Sequence, residues 1–322
     1  SGERKFKIKA YFMRARRGSE MRGRGREKCL STFLRRERTV KKNIFKKFTA
    51  AACLTAVAAT TLFTFASCET SYPKAEITVS FNDTDYTLKY ELARKLAPST
   101  VRHFIELADN NFYDGLCVHS YETSKWIAGG YKVAEGDDDT KLEEIDYFAA
   151  VKNFSLTQTV WASPNKENPT GTVYGEFSKN NYKVEGTGAW KQTYGSLSMF
   201  YTSKNAEDSV YVDRFDGNGQ SYKPYKYNSA TSLFYFYTSS SDSAASDNYC
   251  TFARLEEKSR DKFAELLKAV SNYSSDTYGD DGFTEEKKLT ANAGDPFETS
   301  STVKAKVPKK AIVIKSVKIK KY

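Results

Sequence analysis

Histidine is nearly absent: the 322 residues hold 2, His103 and His119. That scarcity rules out a His-rich metal site. Cysteine is also sparse, at 5 residues. Cys29, Cys53 and Cys68 precede the folded body, and no two cysteines have the CxxC spacing of a zinc site. Cys117 and Cys250 sit in apolar, strand-like runs and are expected as buried free thiols. No internal repeat and no second catalytic motif is present, so neither a metal nor a cofactor is expected.

Positive charge is plentiful but unevenly placed. The formal net charge is +10. Residues 1–47 alone hold 18 Lys/Arg against 4 Asp/Glu, which leaves the remainder with 32 against 36 and a mildly acidic balance. The basic character therefore belongs to a leader. A targeting flank is preferred over a nucleic-acid arm, because a hydrophobic segment follows at once. No nucleic-acid partner is expected.

That segment, Phe48 to Ala66, reads FTAAACLTAVAATTLFTFA behind Lys41, Lys42, Lys46 and Lys47. A basic flank, an apolar core and small exit residues describe a secretory signal. It ends in Phe65-Ala66-Ser67-Cys68, which resembles a bacterial lipoprotein cleavage box and implies acylation of Cys68. Phe65 departs from the usual aliphatic residue of that box. The alternative is an uncleaved anchor, since the run approaches the roughly 20 apolar residues of a spanning helix. Both place the body outside the cytoplasm, tethered to a membrane in the cell envelope. The expected organisation is a basic leader at 1–47, a signal or anchor at 48–68, a linker at 69–74 and one domain at 75–322.

The body opens with AEITVSF at 75–81, which alternates like a strand and can pair with 86–92 across the Asn82-Asp83-Thr84-Asp85 turn. In 97–130, Pro98 suits a first helical turn, and Val101, Phe104, Ile105 and Ala108 make one apolar helix face. Asp114-Gly115 is a turn, Leu116 and Val118 begin a strand, and Gly129-Gly130 ends the stretch. A second helix is predicted at 259–270 and a closing strand at 311–319. Segments near 132–169, 204–228 and 272–302 read as insertions, the last as a polar loop. The acidic run Asp137-Asp138-Asp139 lacks calcium-loop spacing and reads as a solvated loop.

The AP-x-TV-x-x-F-x-x-LA helix, the FYDG turn, the His119 strand and Gly129-Gly130 resemble the cyclophilin-type prolyl isomerases in order and spacing. Gly175-Glu176-Phe177, Gly195 to Met199, ATSLFYFY at 230–237 and DNYCTFARL at 247–255 extend the resemblance. It implies a mainly β fold: a closed, eight-stranded antiparallel barrel capped by two helices, with long loop insertions. It further implies a monomer that acts on a proline-containing peptide or exported protein.

In that family an Arg after the strand His is the main donor to the twisting amide, and a Gln before the paired glycines holds substrate. Here the Arg position is Ser120 and the Gln position is Ala128. The remaining groove positions implied are His119, Trp126, Met199, Phe200, Leu233 and Tyr235. His119, Met199 and Phe234 also fit structural roles in the barrel. A serine hydroxyl cannot replace a guanidinium fork. Two readings follow: a membrane-tethered isomerase of weak activity, with Arg102, Arg214, Lys125 or Arg254 as stand-in donor, or a catalytically silent module that binds peptide or protein.

Overall fold

The computed structural model describes residues 70–136, 138–180, 182, 190–200, 209–213, 220–224, 231–243, 249–291 and 301–322. The leader, the 48–68 segment with Cys68, and Arg214 lie outside them. Among the described residues no helix is long and apolar enough to cross a membrane.

Eight strands form one antiparallel sheet. In chain order they are β1 (Lys74–Phe81), β2 (Thr84–Leu92), β3 (Ser120–Tyr121), β4 (Lys125–Ala128), β5 (Leu197–Met199), β6 (Phe234–Tyr237), β7 (Thr251–Leu255) and β8 (Ile312–Lys321). Their spatial order is β8-β1-β2-β7-β5-β6-β4-β3. The sheet curls into a half-barrel rather than the closed barrel expected, and its two ends approach each other at one short run. The run before β3 bonds β8 through Gly115 N–H to Ile314 O at 2.8 Å, Ile314 N–H to Leu116 O at 2.7 Å and Val118 N–H to Ile312 O at 2.9 Å. This run covers part of the free edge of β8 at which such sheets aggregate.

Alternation sets the inner face. Ala75, Ile77, Val79 and Phe81 of β1, and Tyr86, Leu88, Tyr90 and Leu92 of β2, are buried, while the residues between them are more exposed. Helix α1 (Pro98–Asp109) lays Val101, Phe104, Ile105 and Ala108 on this core, joined by Leu107 and Thr100. A large apolar side chain so buried contributes roughly 1.5–3 kcal/mol. Asn111 and Gly115 turn the chain with φ of 55° and 82°. The paired glycines are a close approach: a Cβ on Gly129 would lie 2.4 Å from Ser232 O, and one on Gly130 would lie 2.5 Å from Leu233 Cδ2.

Helix α1 has no side-chain cap of its own. A residue far along the chain supplies it. Glu176 accepts the N–H of Ser99 at 3.0 Å and of Thr100 at 2.9 Å. This is the Gly175-Glu176-Phe177 segment, pinned to the helix N-terminus where a carboxylate meets orphan donors. Burial dominates over those donors and raises the Glu176 carboxyl to about 7. A raised acid pKa favours folding at low pH, so this stabilisation is complete below the unfolded value near 4.5 and is lost as pH rises through about 7. A shift of that size corresponds to about 3 kcal/mol. Urea melts between pH 4.5 and 7.5 are expected to show stability falling with pH, and Glu176→Gln to flatten that slope. A slope unchanged by the substitution would remove Glu176 from the account.

Two further helices follow. The short α2 (Tyr147–Asn153) is tied to α1 through Tyr147 Oη, which lies 3.0 Å from His103 Nε2 and donates to Gly171 O at 2.6 Å. Helix α3 (Arg260–Tyr278) buries Phe263, Leu266 and Val270. It runs two turns beyond the apolar pattern, because Tyr273 packs edge-on to Phe81 at 5.5 Å and Tyr278 against Phe283 at 6.2 Å. The 272–302 stretch, expected as a loop, thus continues α3 and then enters a hairpin of Thr284–Ala291 and Ser301–Pro308. The other insertions also carry structure. Val160–Trp161 joins Ser209–Asp213 and Gln220–Pro224 in a three-stranded sheet, and Tyr131–Val133 pairs Leu142–Glu144.

Both carboxylates of the acidic run that are described turn back on the protein. Asp138 accepts from Thr140 N and Oγ1, and Asp139 accepts Ala311 N–H at 3.0 Å and lies 3.4 Å from Lys310 Nζ. Among the described residues no cluster of His, Cys, Asp or Glu is arranged for a metal.

Neither Cys117 nor Cys250 forms a disulfide, and both are buried. Burial pushes the Cys117 thiol up to about 12. In a chain whose Cys29, Cys53 and Cys68 are replaced by serine, an aromatic disulfide reagent at pH 8 is expected to label neither thiol until urea unfolds the domain. Rapid labelling in buffer would contradict the burial.

Candidate functional site

Register decides which side chains share a face, since cross-strand partners point the same way. Ser120 of β3 pairs Ile127 of β4, Ile127 pairs Tyr235 of β6, Tyr235 pairs Ser198 of β5, and Ser198 pairs Thr251 of β7. These five residues form one row across five strands on the face turned away from the core. The alternate row is Trp126, Ala128, Phe234, Phe236, Leu197 and Met199, all of which belong to the main core cluster.

The implied groove residues are therefore divided. Ser120 and Tyr235 lie in the outer row. Trp126 and Met199 lie in the core at 3% and 0% exposure, with Trp126 stacked on Tyr121 at 5.2 Å. Ala128 is fully buried opposite Phe234. Leu233 and Phe200 are half-buried beyond the row's strands, linked by Phe200 N–H to Leu233 O at 2.9 Å. His119 stands apart. Its ring packs on Tyr131 at a centroid distance of 4.5 Å, its Nδ1 has no hydrogen-bond partner, and burial lowers it to about 3. It is a neutral packing residue.

The row's polar atoms satisfy one another. Gln192, buried, donates from its amide to Ser198 Oγ at 3.3 Å and to the Tyr235 hydroxyl. Ser198 Oγ lies 3.0 Å from Thr251 Oγ1. Burial raises the Tyr235 phenol, which stays protonated at any ordinary pH. Nothing in the sequence singled out Gln192, which sits in a polar stretch between apolar runs.

The stand-in donors are placed differently. Arg102 is exposed on α1. The Arg254 guanidinium lies 4.1 Å from the Trp190 ring, which also stacks on Tyr72. Among the described residues, Lys125 is a cation beside the row: its Nζ is 5.9 Å from the Tyr235 ring centroid and 3.3 Å from Glu122 Oε2. Chemically, the row is a buried band of apolar and hydroxyl groups, met by the Gln192 amide, with the Lys125 ammonium near it among the described residues.

Residues 77–212 match the family model of the cyclophilin type peptidyl-prolyl cis-trans isomerase/CLD. Among solved structures, a Cryptosporidium parvum cyclophilin type peptidyl-prolyl cis-trans isomerase is similar at 17% identity and a TM-score of 0.38, covering 78% of this chain and 99% of that one. A second structure of that protein, in the presence of the dipeptide Ala-Pro, matches at 16% identity and a TM-score of 0.38 over 77% and 99% of the two chains. The Mimivirus cyclophilin is similar at 10% identity and a TM-score of 0.35, over 79% and 92%. The search of curated proteins gave no match.

Proposed function

We propose that this chain, whose residues 77–212 match the cyclophilin type peptidyl-prolyl cis-trans isomerase/CLD family model, is a membrane-tethered, extracytoplasmic protein that holds proline-containing segments and turns them over weakly. What supports the weak activity is the outer row: Ser120, at the position the sequence resemblance gives to the donor, is a short hydroxyl, and Gln192 already bonds Tyr235 and Ser198. Isomerisation breaks no bond in the substrate. Its barrier is the amide resonance of about 18–20 kcal/mol, which a catalyst lowers by directing a donor at the twisted amide. A short neutral hydroxyl, 9% exposed, is poorly placed for that.

The tether rests on the 48–68 segment and Cys68. Expressed in a bacterial host, the full chain is expected to incorporate labelled palmitate and to partition with membranes. Cys68→Ala is expected to abolish the label. Label retained in that variant would refute acylation at this residue.

The holding function is tested by fluorescence anisotropy of the full chain with a labelled Ala-Ala-Pro-Phe peptide against its Pro→Ala counterpart. Preference for the proline form supports it and equal affinity refutes it. One observation favours a second reading, an isomerase with a substitute donor: Lys125 lies beside Tyr235. Under that reading Lys125→Ala abolishes turnover, whereas under the first it leaves the low rate in place.

A further inference from the structure

Ser120 faces two ways in the architecture. It ends the outer row, and it also lines a separate cleft of about 800 Å³. The cleft lies between the β3–β4 turn, helix α3 and the Thr284–Ala291/Ser301–Pro308 hairpin. From the turn come Ser120 to Ser124, from α3 Ser271, Ser274 and Ser275, and from the hairpin Thr284, Glu286 and Lys304 to Lys306. Phe283 forms its base with Tyr121, ring centroids 5.2 Å apart. Its walls come from the helix extension and hairpin that the polar 272–302 stretch helps to build.

We infer that this cleft is a binding site for a hydrophilic, extended peptide segment flanking the proline held at the outer row. The inference rests on the peptide-holding reading above and names the part of the partner that this reading leaves open.

Three features of the wall carry it. The first is hydroxyl density. Of the lining residues, Ser120, Tyr121, Thr123, Ser124, Ser271, Ser274, Ser275 and Thr284 carry hydroxyls. Each is both donor and acceptor, so together they match an extended backbone, which offers one N–H and one C=O per residue. Ser271, Ser274 and Ser275, spaced i, i+3, i+4, share one helix face. The second is charge. Glu122 and Glu286 balance Lys304 and Lys306, and Lys304 Nζ lies 2.8 Å from Glu286 Oε1. A wall of no net charge gives no attraction to a polyanion. The third is continuity. Residues 120–124 and 304–306 line the cleft consecutively. Ser120 belongs to both the row and the cleft, so the two adjoin at that residue.

An apolar segment is disfavoured there. Covering hydroxyls with groups that cannot hydrogen-bond leaves each of them unsatisfied, which opposes binding. The volume falls within the roughly 300–1,000 Å³ range of ligand sites.

The test uses the full chain and three fluorescein-labelled peptides: a bare Ala-Ala-Pro-Ala, and the same core extended on both sides by Ser/Asn/Gln or by Leu/Val residues. Expected is at least tenfold tighter binding of the hydrophilic form than of the apolar form. Ser274→Trp, which fills the cleft, is expected to erase that preference while binding of the bare peptide stays as in the wild type. Thr123→Trp, on an exposed turn, serves as the second variant, and thermal melts check both. Flank preference that survives both tryptophans in folded protein overturns the cleft while leaving the row as a peptide site. Loss of binding for every proline peptide overturns both readings. Displacement of the hydrophilic peptide by a neutral oligosaccharide, in wild type and both variants alike, also overturns the assignment.

Discussion

The full chain is expected to accelerate proline isomerisation at least about 100-fold less than a cyclophilin that bears the arginine, assayed side by side on one proline peptide. The magnitude follows from the general loss of about 10²–10³ in rate when a single preorganised donor is removed from a charge-developing site. Under the proposed reading, Ser120 offers only a short hydroxyl where that donor would act. Ala128 is also fully buried against Phe234, where a longer amide side chain has no route to the outer face. The remaining hydroxyls, on Tyr235 and Ser198, are engaged by Gln192. Ser120→Ala is therefore expected to leave the residual rate unchanged within twofold. Robust turnover that Ser120→Ala or Tyr235→Ala abolishes would refute this account of the row. Turnover abolished by Lys125→Ala would instead establish the ammonium beside Tyr235 as the donor.

Phe234→Ala is expected to cost about 3–5 kcal/mol of unfolding free energy in urea. That is a large share of the 5–15 kcal/mol that typically separates folded from unfolded domains. Phe234 has no exposed surface, and its ring meets Tyr113 at 5.4 Å, Phe236 at 5.5 Å, Phe104 at 5.8 Å and Phe252 at 6.5 Å. It joins helix α1 to strands β6 and β7, so its removal opens a cavity that three elements would have to close together. Tyr235→Phe, one residue along and on the opposite face, is expected to cost about 1–3 kcal/mol, the price of leaving the Gln192 amide without that acceptor. A loss under 1 kcal/mol at Phe234 would contradict the described core.

Much of the scaffold is legible in the sequence, for identifiable reasons. Helix α1 announces itself through Pro98 and the spacing of Val101, Phe104, Ile105 and Ala108, all of which reach the core. Strands β1 and β2 alternate cleanly, and Gly129-Gly130 is explained once Ser232 and Leu233 are seen to press against it. The candidate site is less legible. Motif matching places Trp126 and Met199 in a groove, but which face a strand residue takes depends on register, and register here turns both inward. Gln192 carries no periodic or motif signal. The hairpin after α3 is equally silent: Thr284–Ala291 sets Glu-Glu beside Lys-Lys with few apolar residues, and only Leu289, Ala305, Val307 and Pro308 of its two strands are buried. The end of α3 is written in serines of weak helical preference and held by Tyr273 and Tyr278, contacts that no local pattern reveals.

The Gln192 amide has one more implication. It is a carboxamide of the protein's own chain, resting against the hydroxyls that a visiting peptide amide would otherwise meet. The domain is in this sense already occupied by an intramolecular competitor. A group tethered by a short segment competes at an effective concentration in the millimolar range. A guest that must displace Gln192 meets a threshold, and only one with additional contacts elsewhere on the surface crosses it. Selectivity then begins with the cost of evicting a resident side chain, before any feature of the guest is read.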